Sequence, residues 1–189
     1  MWYTKFNNSE GTGQVWGLYP RKNAQTLDEE WSEGRGPRST HYQPGEYLVT
    51  DLQGPYSRTR VGNRYNHLVY DLGSKYLWTF RIKKKPEALA NLDLVLNEVQ
   101  TFTGQKVKFL RTDGDGIFRQ SKNFLDLQKK YGFRHERPGP YDHKHSAHID
   151  RECSEMAREL YFESGLPSSF WGEASNHFTF VKIKFQSTG

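Results

Sequence analysis

Apolar side chains fall at alternate positions, or in short unbroken runs, through three early segments of the chain. "EYLVTDL" (46–52), "NHLVYDL" (66–72) and "KYLWTFRI" (75–82) are rich in β-branched and aromatic residues and separated by Gly, Pro and Ser, which predicts three strands in a meander. The period then changes. "PEALANLDLVLNEVQTFTG" (86–104) puts Leu89, Leu92, Leu96 and Val99 on one stripe, with Pro86 at its first turn and Gly104 as its stop, which predicts a helix. "KVKFLRT" (106–112) returns to alternation as a fourth strand.

Beyond it, "SKNFLDLQKKYG" (121–132) carries Phe124, Leu127 and Tyr131 at helical spacing and stops at Gly132, and Phe133 to Glu136 reads as a short strand. Ile149, Cys153, Met156 and Leu160 form a further helical stripe over 148–164. A last helix opens near Pro167-Ser168-Ser169 and carries Phe170, Trp171 and Ala174. The order βββ-α-β-α-β-α-α describes an α/β domain: a mixed sheet of about five strands flanked by helices. Residues 1–44 show neither period, and "SEGRGPRSTHYQPGE" (32–46) has the composition of a linker. The expected division is an extended or poorly packed N-terminal extension, 1–44, followed by one domain over 45–185.

Composition narrows this picture only slightly. A net charge of +5 and a pI of about 9.2 favour polyanions, with basic residues clustered at Arg58, Arg60 and Arg64, at Lys83-Lys84-Lys85 and at Lys129-Lys130. Such runs are solvated faces in most proteins, so they permit a nucleic-acid partner without naming one. The single cysteine, Cys153, excludes an internal disulfide and any zinc site built from several thiolates. No apolar run approaches bilayer length and no signal-peptide pattern opens the chain, so the sequence reads as soluble and intracellular.

The candidate chemistry lies at the strand ends. "FLRTDGDGIF" (109–118) stops a strand with Asp113, and "LVTDLQGP" puts Asp51 at the close of the first strand before a Gly-Pro break. Asp-Gly-Asp-Gly is ordinary turn chemistry by itself, and an EF-hand is excluded because the twelfth position from Asp113 is Phe124. If the two strands are neighbours, however, their terminal aspartates meet. A third carboxylate stands in "HIDRE", either Asp150 or Glu152. Three carboxylates are the hard oxygen ligands that Mg²⁺ or Mn²⁺ prefers, the donor set of two-metal phosphoryl transfer.

Other constellations carry less. His143, His145 and His148 with Cys153 lack a standard structural zinc spacing. No Gly-x-Ser-x-Gly elbow occurs, and "GTG" at 11–13 has no strand before it. Cys153 sits in an apolar stripe, and Trp78 and Trp171 read as core aromatics.

"YLVTDLQGP", "LRTDGDGIF", "RHERPGPYDHKHSAHIDRE", "EMAREL" and "SGLPSSFWGEA" stand in the order, and near the spacing, of the integrase core of copia-type LTR retrotransposons, which the chain resembles over residues 37–181. "DLGSKYLWTFRIKKKPEAL" is similar to the segment where that family carries an acidic residue, an aromatic strand and the start of its first helix. The resemblance implies an RNase H-like fold and a polynucleotidyl transferase acting on DNA: 3′-end processing and strand transfer. It places Asp51 and Asp113, with 61 residues between them, on the first two acidic positions. Aligning from Pro140-Tyr141 puts Asp150-Arg151 on the family's Glu-Arg pair, with Glu152 as the alternative third acid.

The implied cofactor is Mg²⁺ (or Mn²⁺) on Asp51, Asp113 and Asp150. Arg151, Lys144 and His143 are the implied phosphate contacts; element ends and target DNA are the implied partners, with a homo-oligomer and a nuclear site of action if the core is functional. The sequence departs from the family pattern at four points. The third acid is Asp rather than Glu, and Ser146-Ala147 replaces an Asn-Gly. The helix before "EMAR" is three residues short, and residues 1–44 hold no counterpart of the family's His/Cys zinc module. These departures keep a second expectation open: an inactive or co-opted retroelement fragment that retains the fold and non-specific nucleic-acid binding.

Overall fold

The structure, a computed structural model, describes residues 42–112, 115–119, 121–136 and 165–186. Three strands come first: β1 (Tyr47–Gln53), β2 (Tyr65–Asp71) and β3 (Leu77–Ile82). They form the expected antiparallel meander, β1 pairing with β2 and β2 with β3. The third strand begins two residues later than its alternation suggests, because Lys75 adopts a left-handed backbone with φ of 61° and belongs to the turn.

Helix α1 (Glu87–Thr103) follows, preceded by Pro86 and ended by Gly104 at φ 68°. Ala88, Leu89, Leu92, Val95, Leu96 and Val99 are buried along it and face Leu48, Val69, Trp78, Phe80, Ile82 and Leu110 of the sheet. Strand β4 (Phe109–Thr112) then enters the sheet beside β1, parallel to it. It is shorter at its start than the sequence pattern implies. Val107 is already in the core, but regular pairing begins only where Lys108 and Phe109 donate to the Glu46 carbonyl.

A short helix that periodicity did not reveal, α2 (Gly116–Arg119), precedes α3 (Lys122–Tyr131) and β5 (Arg134–Glu136). Ser121 caps α3 by accepting from the Phe124 N–H at 3.2 Å, and Gly132 ends it at φ 75°. β5 pairs parallel to β4, giving the sheet order β3-β2-β1-β4-β5. Helix α4 (Trp171–Gln186), led in by a 3₁₀ turn at Ser168–Phe170, closes the described chain. The predicted helix at 148–164 and nearly all of the predicted N-terminal extension lie outside the described residues. Tyr42 is described and packs on Tyr47, ring centroids 4.7 Å apart.

The pleat sorts the sheet into two faces. Leu48, Val69, Trp78 and Leu110 look toward α1 and α3, whereas Tyr47, Val49, Leu68, Tyr70 and Leu77 gather with Phe178 of α4 on the other side. Two fully buried polar residues lie within this framework. Asp71, at the end of β2, accepts from the backbone N–H groups of Gly45 (2.8 Å), Gly73 (3.0 Å) and Ser74 (3.3 Å) and from the Ser74 hydroxyl (2.6 Å). It thereby ties the β2–β3 turn to the segment that leads into β1. His67, in the middle of the sheet, shares a 2.8 Å hydrogen bond between Nε2 and the Thr50 hydroxyl.

Replacing the Asp71 carboxylate should therefore loosen three segments at once. Asp71→Asn is expected to lower unfolding free energy by about 2–4 kcal/mol, since hydrogen bonds to a buried carboxylate are among the costliest to lose. Urea denaturation of the variant checks this, and a loss under about 1 kcal/mol would show that the carboxylate does not hold the turn.

Burial pushes the His67 imidazole down to about 3. The unfolded chain takes up this proton near pH 6.5 and the folded one does not, so stability is lost as pH falls from about 6.5 toward 3, by at most about 1.4 kcal/mol per unit. In a His67→Gln variant, urea denaturation between pH 7 and pH 4.5 should show a shallower decline with acid than wild type. Parallel declines would mean that another group sets the slope.

Candidate functional site

The parallel pairing of β1 and β4 fixes the geometry of the candidate site. Tyr47 lies opposite Phe109, Val49 opposite Arg111, and Thr50 opposite Thr112, the last described pair. From β1 the chain turns one way, into β2; from β4 it turns the other way, through α2 and α3 into β5. In open α/β sheets the crevice left at such a divergence, outside the carboxyl ends of the strands, is where ligands bind.

Asp51 is the next residue of β1 after Thr50, is half-buried, and stands opposite Leu68 of β2. By alternation it is on the face that carries Tyr47, Val49 and Leu68, away from α1. Thr50 and Thr112, on the opposite face, are each held by a histidine of the neighbouring strand. Thr50 Oγ1 meets His67 Nε2 at 2.8 Å, and Thr112 Oγ1 meets His135 Nε2 at 3.0 Å. Both are nearly solvent-free, 1 % exposed. The two strand ends are thus pinned by equivalent hydroxyl-imidazole contacts on the helix-covered side, which on β1 sets the phase of Asp51.

The turn after β4 is anchored separately. Asp115 accepts from Lys85 Nζ at 2.6 Å and from the Ile117 N–H at 3.2 Å, tying the start of α2 to the segment that follows β3. Partial burial alone would raise the Asp115 carboxyl, but the Lys85 ammonium and the Ile117 N–H outweigh it and hold the group below the usual carboxylate range. Periodicity does not reveal this arrangement. Its legible signal is an Asp followed closely by Ile117 and Phe118, of which Phe118 is fully buried.

Farther along the same face of β1, Tyr47 donates to Glu136 at 2.7 Å. Burial raises the phenol far above its ordinary value, and Glu136 adds to the shift while Arg111 opposes it. These groups belong to the base of the sheet. Among the described residues no three His, Cys, Asp or Glu side chains come together as a metal site. Of the residues singled out by sequence for catalysis, metal or DNA, Asp51 alone is described. Asp113, Asp150, Glu152, Arg151, Lys144 and His143 lie outside the described residues, as do His145, His148 and Cys153.

The "SGLPSSFWGEA" segment proves to be a clamp. The Ser57 hydroxyl donates to the Ser168 carbonyl at 2.6 Å, and Trp171 Nε1 donates to the Ser57 carbonyl at 2.7 Å. Trp171 is half-buried and packs on Tyr56, ring centroids 4.9 Å apart, so it is a surface staple rather than the core aromatic expected from sequence; Trp78, 1 % exposed, does lie in the core. A Cβ on Gly172 would stand 2.6 Å from Arg81 Cδ, which explains glycine at the point where α4 meets β3. Next to it Glu173 lies 3.7 Å from Arg81, and the Ser175 hydroxyl accepts from the Asn66 amide at 2.9 Å. The segment therefore fastens α4 to β2, β3 and the β1–β2 loop.

Comparison with known proteins agrees with this geometry. No family model matches the chain. It is 30% identical over 133 residues to the retrovirus-related Pol polyprotein from transposon TNT 1-94 of Nicotiana tabacum, a match covering 68% of this chain and 10% of that polyprotein. The chain thus spans about a tenth of the length of the curated relative it matches. Among solved structures it resembles the HTLV-2 integrase catalytic core domain in complex with magnesium, dimeric form, with TM-score 0.50 and 14% identity over 75% of this chain and 88% of that one. It also resembles a chain of the simian T-cell lymphotropic virus intasome in complex with PP2A regulatory subunit B56 gamma. That match has TM-score 0.53 and 15% identity over 79% of this chain and 53% of that one. The sequence match and the fold match converge: the chain belongs to the family of retrovirus-related transposon Pol polyproteins and has the RNase H-like fold of retroviral integrase catalytic cores.

Proposed function

We propose that this chain is the catalytic core of a copia-type retrotransposon integrase, carrying out metal-dependent polynucleotidyl transfer on DNA through Asp51, Asp113 and a third acid, Asp150 or, failing it, Glu152. The observation that carries this reading is the β1–β4 register. Thr50 pairs with Thr112, so one further step of the same parallel ladder would pair Asp51 with Asp113 on the face away from α1. The residue types suit the role, because carboxylates at the carboxyl ends of adjacent parallel strands offer hard oxygen donors to a divalent cation.

Bound there, Mg²⁺ or Mn²⁺ would activate an attacking oxygen and stabilise the leaving one in a phosphodiester displacement. The chain's own contribution is rigidity. Thr50 with His67, and Thr112 with His135, hold the two described strand ends rigid, which favours a site that needs little rearrangement when substrate arrives. Arg151, Lys144 and His143 supply phosphate contacts in the same reading, with residues 45–185 as the core and 1–44 as its extension. The HTLV-2 relatives are described in dimeric and trimeric forms, and the simian virus relative as part of an intasome, which supports a homo-oligomer acting on DNA ends and, for such a substrate, in the nucleus.

The test is joining and disjoining of a branched DNA substrate with Mg²⁺ or Mn²⁺. Asp51→Asn and Asp113→Asn should each reduce the rate by at least ~10³-fold, equivalent to ~4 kcal/mol of lost transition-state stabilisation, with the melting temperature little changed. Asp150→Asn and Glu152→Gln identify the third acid by which of them shares that loss. Activity retained in Asp51→Asn would refute the proposed site, and a folded wild type inactive with either metal would favour the co-opted fragment.

A further inference from the structure

The β1–β2 loop and the segment after β3 come together at the sheet end toward which β1 and β4 run. Tyr65 pairs with Ile82, and the Arg64 N–H donates to the Ile82 carbonyl at 2.9 Å, so Arg64 and Lys83 leave the sheet side by side. A Cβ on Gly62 would lie 3.8 Å from Lys83 Cε, which brings the loop tip to the lysine run as well. Two basic clusters separated in sequence, Arg58/Arg60/Arg64 and Lys83/Lys84, therefore form one surface, and all five residues are exposed. None of the five makes an ion pair among the described residues, whereas neighbouring Lys85 is engaged by Asp115 and Arg81 lies near Glu173. Glu87 is the nearby acid, and its carboxylate accepts from the backbone N–H groups of Lys83 and Lys84.

The loop that presents the arginines is tightly built. Thr59 and Asn63 are buried, the Thr59 N–H donates to the Asn63 carbonyl at 3.0 Å, and the Asn63 N–H donates back to the Thr59 hydroxyl at 3.0 Å. The Ser57 and Trp171 contacts fasten its other limb to the start of α4. With Thr59 turned inward, Arg58 and Arg60 are held outward on either side of it. Three exposed arginines on a braced loop and two exposed lysines beside them concentrate positive charge that Glu87 offsets only in part, and a polyanion complements the remainder.

We infer that Arg58, Arg60, Arg64, Lys83 and Lys84 form a docking surface for the phosphate backbone of duplex DNA, continuous with the Asp51 strand end. The inference rests on the reading of the chain as a DNA-processing core and adds the surface that holds the duplex beside it. The register puts Arg64 four residues along β2 from Leu68, the partner of Asp51, which is roughly 13 Å at ~3.3 Å per residue. That distance lets one duplex span both. Exposed guanidinium and ammonium groups contact phosphate without reading bases, so binding through this surface is insensitive to sequence and weakens steeply with salt.

Fluorescence anisotropy with a short labelled duplex, in EDTA so that no chemistry occurs, tests the surface. Arg58→Gln, Arg60→Gln, Arg64→Gln and Lys83→Gln combined should weaken binding at least ~tenfold at low salt and flatten the log Kd against log salt slope by about 3. A control with the same charge change at Lys75, Lys106, Lys129 and Arg134, all exposed and away from the loop, should bind much as wild type does. On the wild-type protein, DNA should protect Lys83 and Lys84 from amine acetylation more than Lys75 and Lys106, a readout independent of how the variants fold.

Equal losses in the patch and control variants, or no protection of Lys83 and Lys84, would overturn the surface. Failure here with strand transfer intact leaves the catalytic reading standing, while DNA binding through the patch without any strand transfer leaves the surface standing and removes the chemistry.

Discussion

The parallel pairing of β1 with β4 is the constraint on which the rest of the domain depends. Two strands from opposite halves of the chain lie side by side in one register, and everything else either makes that contact possible or uses it. Helix α1 is the crossover that carries the chain from the outer strand of the meander back to the centre, and its apolar stripe covers the strands it passes. Because the connections then diverge from β1 and β4, the carboxyl ends of these strands border a crevice. Open α/β sheets bind ligands at such a crevice for a topological reason, before any residue type is considered.

Residue type then decides which aspartate is structural. Asp71 and Asp51 both stand near the ends of strands in the same antiparallel pair, in similar local sequences, "VYDLG" and "VTDLQ". Asp71 is fully buried and satisfied by three backbone N–H groups and a hydroxyl, so its oxygens hold a turn together. Asp51 lies at the opposite end of the meander, half-buried, on the strand where the connections part. A carboxylate whose hydrogen-bonding capacity is already spent on a turn has no freedom to hold a substrate or cation, which marks Asp71 as structural.

Much of the fold was legible in the sequence because its elements follow local rules. The three-strand meander, the α1 stripe from Leu89 to Val99, the glycine stops at 104 and 132, and the brief strand before residue 137 are all set by side-chain period and backbone preference. What was not legible depends on contacts between distant segments. The start of β3 is set by the left-handed Lys75, α2 by the Lys85–Asp115 pair, and the threonine-histidine pins by register across neighbouring strands. Of the candidate site, sequence identified Asp51 as a strand-terminal acid and the structure gives its setting. Asp113 and the acid at 150 or 152 rest on the family pattern, since periodicity places two carboxylates on opposite flanks of one stripe and cannot choose between them.

The fate of Trp171 shows why motif likeness and chemistry must be argued apart. The "SGLPSSFWGEA" ending is the most specific piece of the resemblance, yet Ser168, Trp171, Gly172 and Glu173 are engaged with the β1–β2 loop and Arg81 by packing and polar contacts. Keeping this segment therefore keeps the fold, whatever happens to the acids. A core that lost its catalytic carboxylates would retain it unchanged, because Gly172 is needed against Arg81 and Trp171 against Ser57 in an active and an inactive molecule alike. The likeness at this end of the chain therefore reflects architecture, whereas the proposed strand transfer depends on the β1–β4 register and on the candidate acids Asp51, Asp113 and Asp150 or Glu152.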